Sequence, residues 1–187
     1  MRQILFFVSI LVGILGISGC SDSPIDTVKD GVLKFNKTIT VGEALDNWQN
    51  CKTRKWEAFK TNNGMQVVNF TCNLANIDEY IKSIKEGLSQ NPKWKNLDNI
   101  KRLQLESDTI TYQFTINKDN SFQLNSVQEK IKWKDGVTYT RDLKPLASME
   151  NAYNNYIKYK PMKLDSHSAY LKYRALGGAY TMGKIYH

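Results

Sequence analysis

The sequence predicts an α+β fold: an antiparallel sheet of four to six strands with helices packed on one face, in the order helix–hairpin–helix–strands–helix. Three observations carry this. Apolar residues alternate with period two in several short runs, the signature of half-buried strands. Asn-Gly and Asp-Gly dipeptides join such runs, and both supply the positive φ that tight antiparallel hairpins need. Between the runs lie stretches with helical apolar spacing, too few and too unevenly placed for alternating β-α-β units.

The elements follow in order. Thr40-Val41-Gly42-Glu43 is a capping box, in which hydroxyl and carboxylate each satisfy an orphan amide at a helix start. Val41, Ala44, Leu45 and Trp48 fall on one face of that helix, which is expected to end near Cys51. Trp56 to Thr61 and Gln66 to Leu74 form a hairpin around Asn62-Asn63-Gly64, with Val68, Phe70, Cys72 and Leu74 alternating onto the core side. Asn76 is placed to cap a second helix whose stripe is Ile77, Tyr80, Ile81, Ile84 and Leu88. Ile100 to Leu105 suits a strand or a continued helix. Thr109 to Ile116 alternates cleanly and turns through Asn117-Lys118-Asp119-Asn120 into Phe122 to Val127. Lys130 to Trp133 and Val137 to Thr140 flank Asp135-Gly136. Pro145 suits the first turn of a third helix carrying Leu146, Met149, Tyr153 and Ile157 on one side.

The amino end carries a different kind of information. Met1-Arg2-Gln3 bears one positive charge, Ile4 to Ile17 is uncharged and apolar except for Ser9, and Ser18-Gly19-Cys20 follows. This fourteen-residue stretch at ~1.5 Å per residue reaches roughly 21 Å, short of a hydrocarbon core of about 30 Å. A basic tip, a short apolar run and small residues at a cleavage point describe a secretory signal peptide. The Ile17-Ser18-Gly19-Cys20 ending resembles the lipobox of bacterial lipoproteins. That resemblance implies cleavage before Cys20, a diacylglycerol thioether on its sulfur and an acylated amino group, with fatty chains such as palmitate. Two or more chains hold a protein firmly to a membrane. Ser21 in place of aspartate implies sorting to the outer membrane. The expected organisation is then a signal peptide over 1–19, a tether over 20–31, a globular domain over 32–160 and a basic, tyrosine-rich segment over 161–187.

Charge and cysteines narrow the setting. The full chain carries a formal charge of +8, and loss of Arg2 with the leader leaves +7. That balance favours anionic partners, and nucleic acid is not expected for an exported, membrane-tethered chain. With Cys20 lipidated, Cys51 and Cys72 remain as a pair, read as one disulfide in an oxidising compartment or, alternatively, as two buried thiols. The two histidines, His167 and His187, lie far from both cysteines, so no metal site or cofactor is expected.

No G-x-S-x-G elbow, H-E-x-x-H helix or Gly-rich phosphate loop occurs, and catalytic residues are not assigned. Asp46, Glu57, Asp78 and Glu79 share no motif. One composition shift stands out: Tyr153, Tyr156, Tyr159, Tyr170, Tyr173, Tyr180 and Tyr186 crowd the last 37 residues with six basic side chains and one acid. Tyrosine with interleaved basic residues suits an interface. Tyr159, Tyr170, Lys172, Tyr173 and Arg174 are therefore the candidate partner-binding residues, against the alternative of core tyrosines followed by a loose tail.

The stretch Thr40-Val41-Gly42-Glu43-Ala44, Trp56-Glu57-Ala58-Phe59, Asn63-Gly64 and Val68-Asn69-Phe70-Thr71 resembles a pattern in uncharacterised bacterial envelope proteins and lipoproteins. The similarity spans roughly residues 30–75 and implies a fold and an envelope setting without an activity. Together these readings lead to the expectation of a lipid-anchored, non-enzymatic binding or assembly module in the periplasm, facing an envelope protein or an anionic cell-wall polymer. The alternative expectation is an inhibitor or immunity lipoprotein that blocks a periplasmic toxin or hydrolase.

Overall fold

In the computed structural model the described residues are 23–94, 97 and 101–186. Cys20 and the whole predicted leader lie outside them. Helices α1 (Pro24–Lys29) and α2 (Val41–Asp46) precede strands β1 (Cys51–Lys60) and β2 (Gln66–Leu74). Helix α3 (Ile77–Ser89) follows, then strands β3 (Leu105–Ile116), β4 (Phe122–Trp133) and β5 (Thr138–Leu143), and finally α4 (Pro145–Tyr153) and α5 (Ser166–Ile185). The five strands form one antiparallel meander, ordered β1-β2-β3-β4-β5. The fold is α+β.

Alternation decides which side of the sheet is covered. Val68, Phe70, Cys72 and Leu74 of β2, Ile110, Tyr112 and Phe114 of β3, and Val127, Ile131 and Trp133 of β4 are buried under the helices. Rings interlock along this face, with Trp56 4.8 Å from Phe70 and Trp48 6.2 Å from Tyr112. Each such pair contributes about 0.5–1.5 kcal/mol beyond simple burial. The opposite face is polar and satisfies itself: Asn73 donates to Thr53 and accepts from Thr109, and Gln113 donates to Asn69.

The turns form as their residues dictate. Gly64 and Gly136 sit at φ +80° and +87°, the left-handed region that glycine enters without steric cost. The Thr40–Glu43 capping box is complete, with Glu43 N–H donating to Thr40 Oγ1 and Thr40 N–H donating to the Glu43 carboxylate.

Several expectations need correction. The helix from Thr40 ends at Asp46, and Cys51 already begins β1. Asn76 caps α3 through left-handed backbone at φ 62° and makes no side-chain cap bond. Lys101–Leu103 is a 3₁₀ turn, and the two short strands expected over 122–133 are one continuous β4. In α4 the buried side is Ser148, Met149 and Ala152, while Leu146 faces solvent.

The largest differences lie at the two ends. Residues 24–29, expected within the tether, form α1: Ser23 caps it, Val28 is fully buried, and Lys29 pairs with Asp46 at 2.7 Å. Among the described residues, packing thus already includes Val28, ahead of the expected domain start near Val32. Residues 166–185, expected in a separate tyrosine-rich segment, form α5, started by Asp165 accepting from the Ser168 N–H. Ala169, Tyr173, Leu176, Tyr180 and Gly183 make its buried stripe. Gly183 lies so close to β5 that an added Cβ would stand 2.6 Å from the Thr138 carbonyl oxygen.

Candidate functional site

Register across β3, β4 and β5 sets the site. Ile110 pairs with Glu129 and Glu129 with Arg141, so the last two are cross-strand neighbours on the helix-covered face. Asp108, two residues before Ile110, projects to the same face beside them. Asp108 and Glu129 are 0% and 2% exposed. Two carboxylates are thus buried side by side in an otherwise apolar layer, an arrangement that is costly unless both are paired.

The pairing comes from the connection between α4 and α5. Lys158 Nζ donates to Asp108 Oδ2 at 2.6 Å and to Glu129 Oε1 at 2.7 Å. Arg141 Nε donates to Glu129 Oε2 at 2.6 Å, and Tyr159 Oη donates to Asp108 Oδ2 at 2.6 Å. The Lys158 and Arg141 side chains remain 26% and 48% exposed, so both cations sit between the buried acids and solvent. Three bonds fix the connection: Trp48 Nε1 donates to the Tyr156 carbonyl at 2.8 Å, the Gln49 N–H to Asn155 Oδ1 at 2.8 Å, and the Lys158 N–H to Asn50 Oδ1 at 2.9 Å. Lys158 is held by its own backbone as well as by its salt bridges.

Burial pushes the Asp108 carboxyl up; Lys158 opposes this and the Glu129 charge adds to it. Burial also works to raise Glu129, but Lys158 and Arg141 together bring it below the ordinary carboxylate range. The Tyr159 hydroxyl is raised well above its usual value by burial and then by Asp108, which keeps it a proton donor.

A cleft of about 330 Å³ opens over this network. Trp48, Ile110, Tyr112 and Leu143 supply apolar walls, and Asn50, Glu129, Arg141, Lys144 and Lys158 supply polar ones. The Arg141 terminal nitrogens make no hydrogen bond among the described residues, and the same holds for the buried Asn50 Nδ2. Asp108 Oδ1 is also buried without a partner among them. Such an arrangement can present fixed donors to an anionic group. The Tyr112 hydroxyl donates to the Ser148 carbonyl, and Tyr159 to Asp108.

The residues singled out by sequence are distributed differently. Cys51 and Cys72 form a disulfide, with Cα atoms 5.3 Å apart, joining the start of β1 to β2. Tyr159 is 2% exposed and Tyr173 is also buried, so both are interior groups and the expected contact surface loses them. Tyr170 is partly covered, its ring stacked on Trp94 at 4.6 Å. Lys172 lies 5.6 Å from the Tyr80 ring centroid, and Arg174 is exposed. The Tyr170 and Tyr173 rings lie 6.3 Å apart, and Tyr80 stands between Lys172 and Tyr159 as a ring neighbour of both. Sequence reasoning missed Asp108, Glu129, Arg141 and Asn50. The available signal was acid at inward positions of the alternations Asp108-x-Ile110-x-Tyr112 and Val127-x-Glu129-x-Ile131.

Among the described residues no helix is long and apolar enough to cross a membrane, and no three His, Cys, Asp or Glu side chains are grouped to hold a metal ion. No family model, curated protein or solved structure matches the chain.

Proposed function

We propose that this chain is a lipid-anchored, non-catalytic binding or assembly module of the bacterial envelope, held by Cys20 to the outer membrane and facing the periplasm. The observation that carries the reading is the order of the first twenty residues: a basic tip, an uncharged and mostly apolar stretch from Ile4, and the Ile17-Ser18-Gly19-Cys20 ending. The Cys51–Cys72 disulfide supports it, because such bonds persist in oxidising compartments. The cleft supports binding over catalysis: its two central cations are held by carboxylates, and its apolar walls suit a ligand that is gripped, not transformed. The net positive charge favours an acidic envelope protein or an anionic cell-wall polymer as partner.

The test is made in cells. Globomycin is expected to accumulate the uncleaved precursor, and Cys20→Ala to abolish membrane retention of a processed form. Indifference to both treatments would remove the anchor from the account. Crosslinking in intact envelopes then addresses the partner. Recovery of a secreted hydrolase or toxin as the dominant adduct would turn the reading toward an inhibitor or immunity protein.

A further inference from the structure

We infer that the cleft over β4 and β5 is a carboxylate site, taking a monocarboxylate joined to a small apolar group. The free edge of the Arg141 guanidinium would meet the acid. The inference deepens the binding-module reading and rests on it only in taking this cleft as a place where the domain meets a ligand. The donor set comes first. Arg141 uses Nε on Glu129 Oε2 at 2.6 Å, which anchors the guanidinium plane and leaves its terminal nitrogens without a partner among the described residues. Two parallel N–H groups on a planar fork match a carboxylate better than a point cation does.

A second, independent observation points the same way. Asn50 is 1% exposed, lines the cleft, and has Nδ2 buried without a partner among the described residues. Its orientation is fixed, because Oδ1 accepts the Lys158 N–H at 2.9 Å. A buried donor left unpaired is costly and uncommon in folded proteins. The residue that carries it lines the same opening as Arg141 and Lys158.

Charge counting sets the ligand's valence. Arg141 and Lys158 are balanced by Glu129 and Asp108, and Lys144 on the wall leaves an excess of one positive charge. One negative charge fits that balance; a phosphate dianion would exceed it. The walls set the rest of the ligand. Trp48, Tyr112 and Leu143 are apolar surfaces, and Tyr156, more than half exposed, closes one side. A cavity of about 330 Å³ is at the small end of ligand pockets, suited to one residue or a compact acid. The acid is either free or the last residue of a peptide.

Titration calorimetry on the full mature protein tests this with four probes: N-acetyl-leucine, N-acetyl-alanyl-alanyl-leucine and the C-terminal amide of each. Both acids are expected to bind and the amides to bind roughly tenfold or more weakly, since each loses a charge-assisted contact. Arg141→Gln is expected to weaken acid binding about ten- to hundredfold, and Tyr156→Ala, on the exposed wall, to weaken it less. Arg174→Gln, on α5 and outside the cleft lining, should leave it unchanged. A tripeptide acid much tighter than N-acetyl-leucine identifies a peptide terminus as the source; equal affinity identifies the free acid. Acids and amides binding alike, no heat from any probe at about 10 mM, or an unchanged affinity in a folded Arg141→Gln protein would each overturn the proposal. Those results would leave the anchor and the crosslinking tests untouched, so the two failures are distinguishable.

Discussion

Lys158→Met is the most informative single change in the folded domain. Among the described residues Lys158 is the one side chain that pairs with both buried acids, at 2.6 and 2.7 Å. Its backbone N–H also holds Asn50, and methionine keeps that bond. Removing one partner of a buried ion pair costs about 3–5 kcal/mol, mostly the penalty of the charge left behind. Lys158 is about a quarter exposed and Arg141 still faces Glu129, so the loss expected at pH 7 is ~3 kcal/mol, at the lower end. The pH dependence follows from the carboxyls. Asp108 is already raised by burial, and without Lys158 both acids move up further from their present values. An acid whose folded pKa lies above its unfolded value of roughly 4 destabilises the native state at neutral pH. It restores stability as pH falls through the raised value. The deficit against the parent protein is therefore expected to narrow between pH 7 and pH 5. The parent's own Glu129 has the opposite sign: its lowered folded pKa contributes stability above the unfolded value, lost as pH falls through the folded one. Urea unfolding of parent and variant at the two pH values measures the first effect; the parent's Glu129 contribution shows only below about pH 4. A deficit under about 1 kcal/mol at pH 7, or one equal at both pH values, would refute the view that Lys158 neutralises this pair.

Two further perturbations bear on the fold. Replacing Cys51 and Cys72 together by serine opens a loop of sequence separation 21 and should cost ~3 kcal/mol, a fall in Tm of roughly 6–12 °C; a thermal scan of the double variant checks it. The glycines of α5 should separate sharply. Gly183→Ala places a Cβ 2.6 Å from the Thr138 carbonyl and should destabilise by about 1–3 kcal/mol. Gly178→Ala meets nothing within 4 Å and should stabilise by roughly 0.5–1 kcal/mol, both read by denaturant titration.

The parts legible in the sequence are those written in local chemistry. The Thr40–Glu43 box, the Gly64 and Gly136 turns and the alternation of β2 and β3 each concern residues within a few positions of one another, and each formed. Helix α5 is obscured by Gly177-Gly178, two weak helix formers in mid-helix; Gly177 packs against Arg102, and the Ala169–Tyr173–Leu176–Tyr180 spacing marks the buried stripe. Helix α1 is obscured because Pro24 and Asp26 make a short polar run look like a linker, and only Val28, with Ile25 packed beside it, anchors it in the core. The site was least legible. Asp108 and Glu129 meet only through the β3–β4 register, and Lys158 reaches them from a connection 29 residues beyond Glu129. Seven tyrosines drew attention to the right end of the chain for the wrong reason: Tyr159 serves the interior network, not the surface.

The anchor at Cys20 is the claim on which the proposed function stands, and the mass of the amino-terminal peptide from membrane-derived protein tests it most directly. The account predicts a peptide that begins at Cys20 and carries a diacylglycerol thioether with an acylated amino group. A peptide beginning at Met1, or one beginning at Cys20 with a free thiol and a free amine, would contradict it.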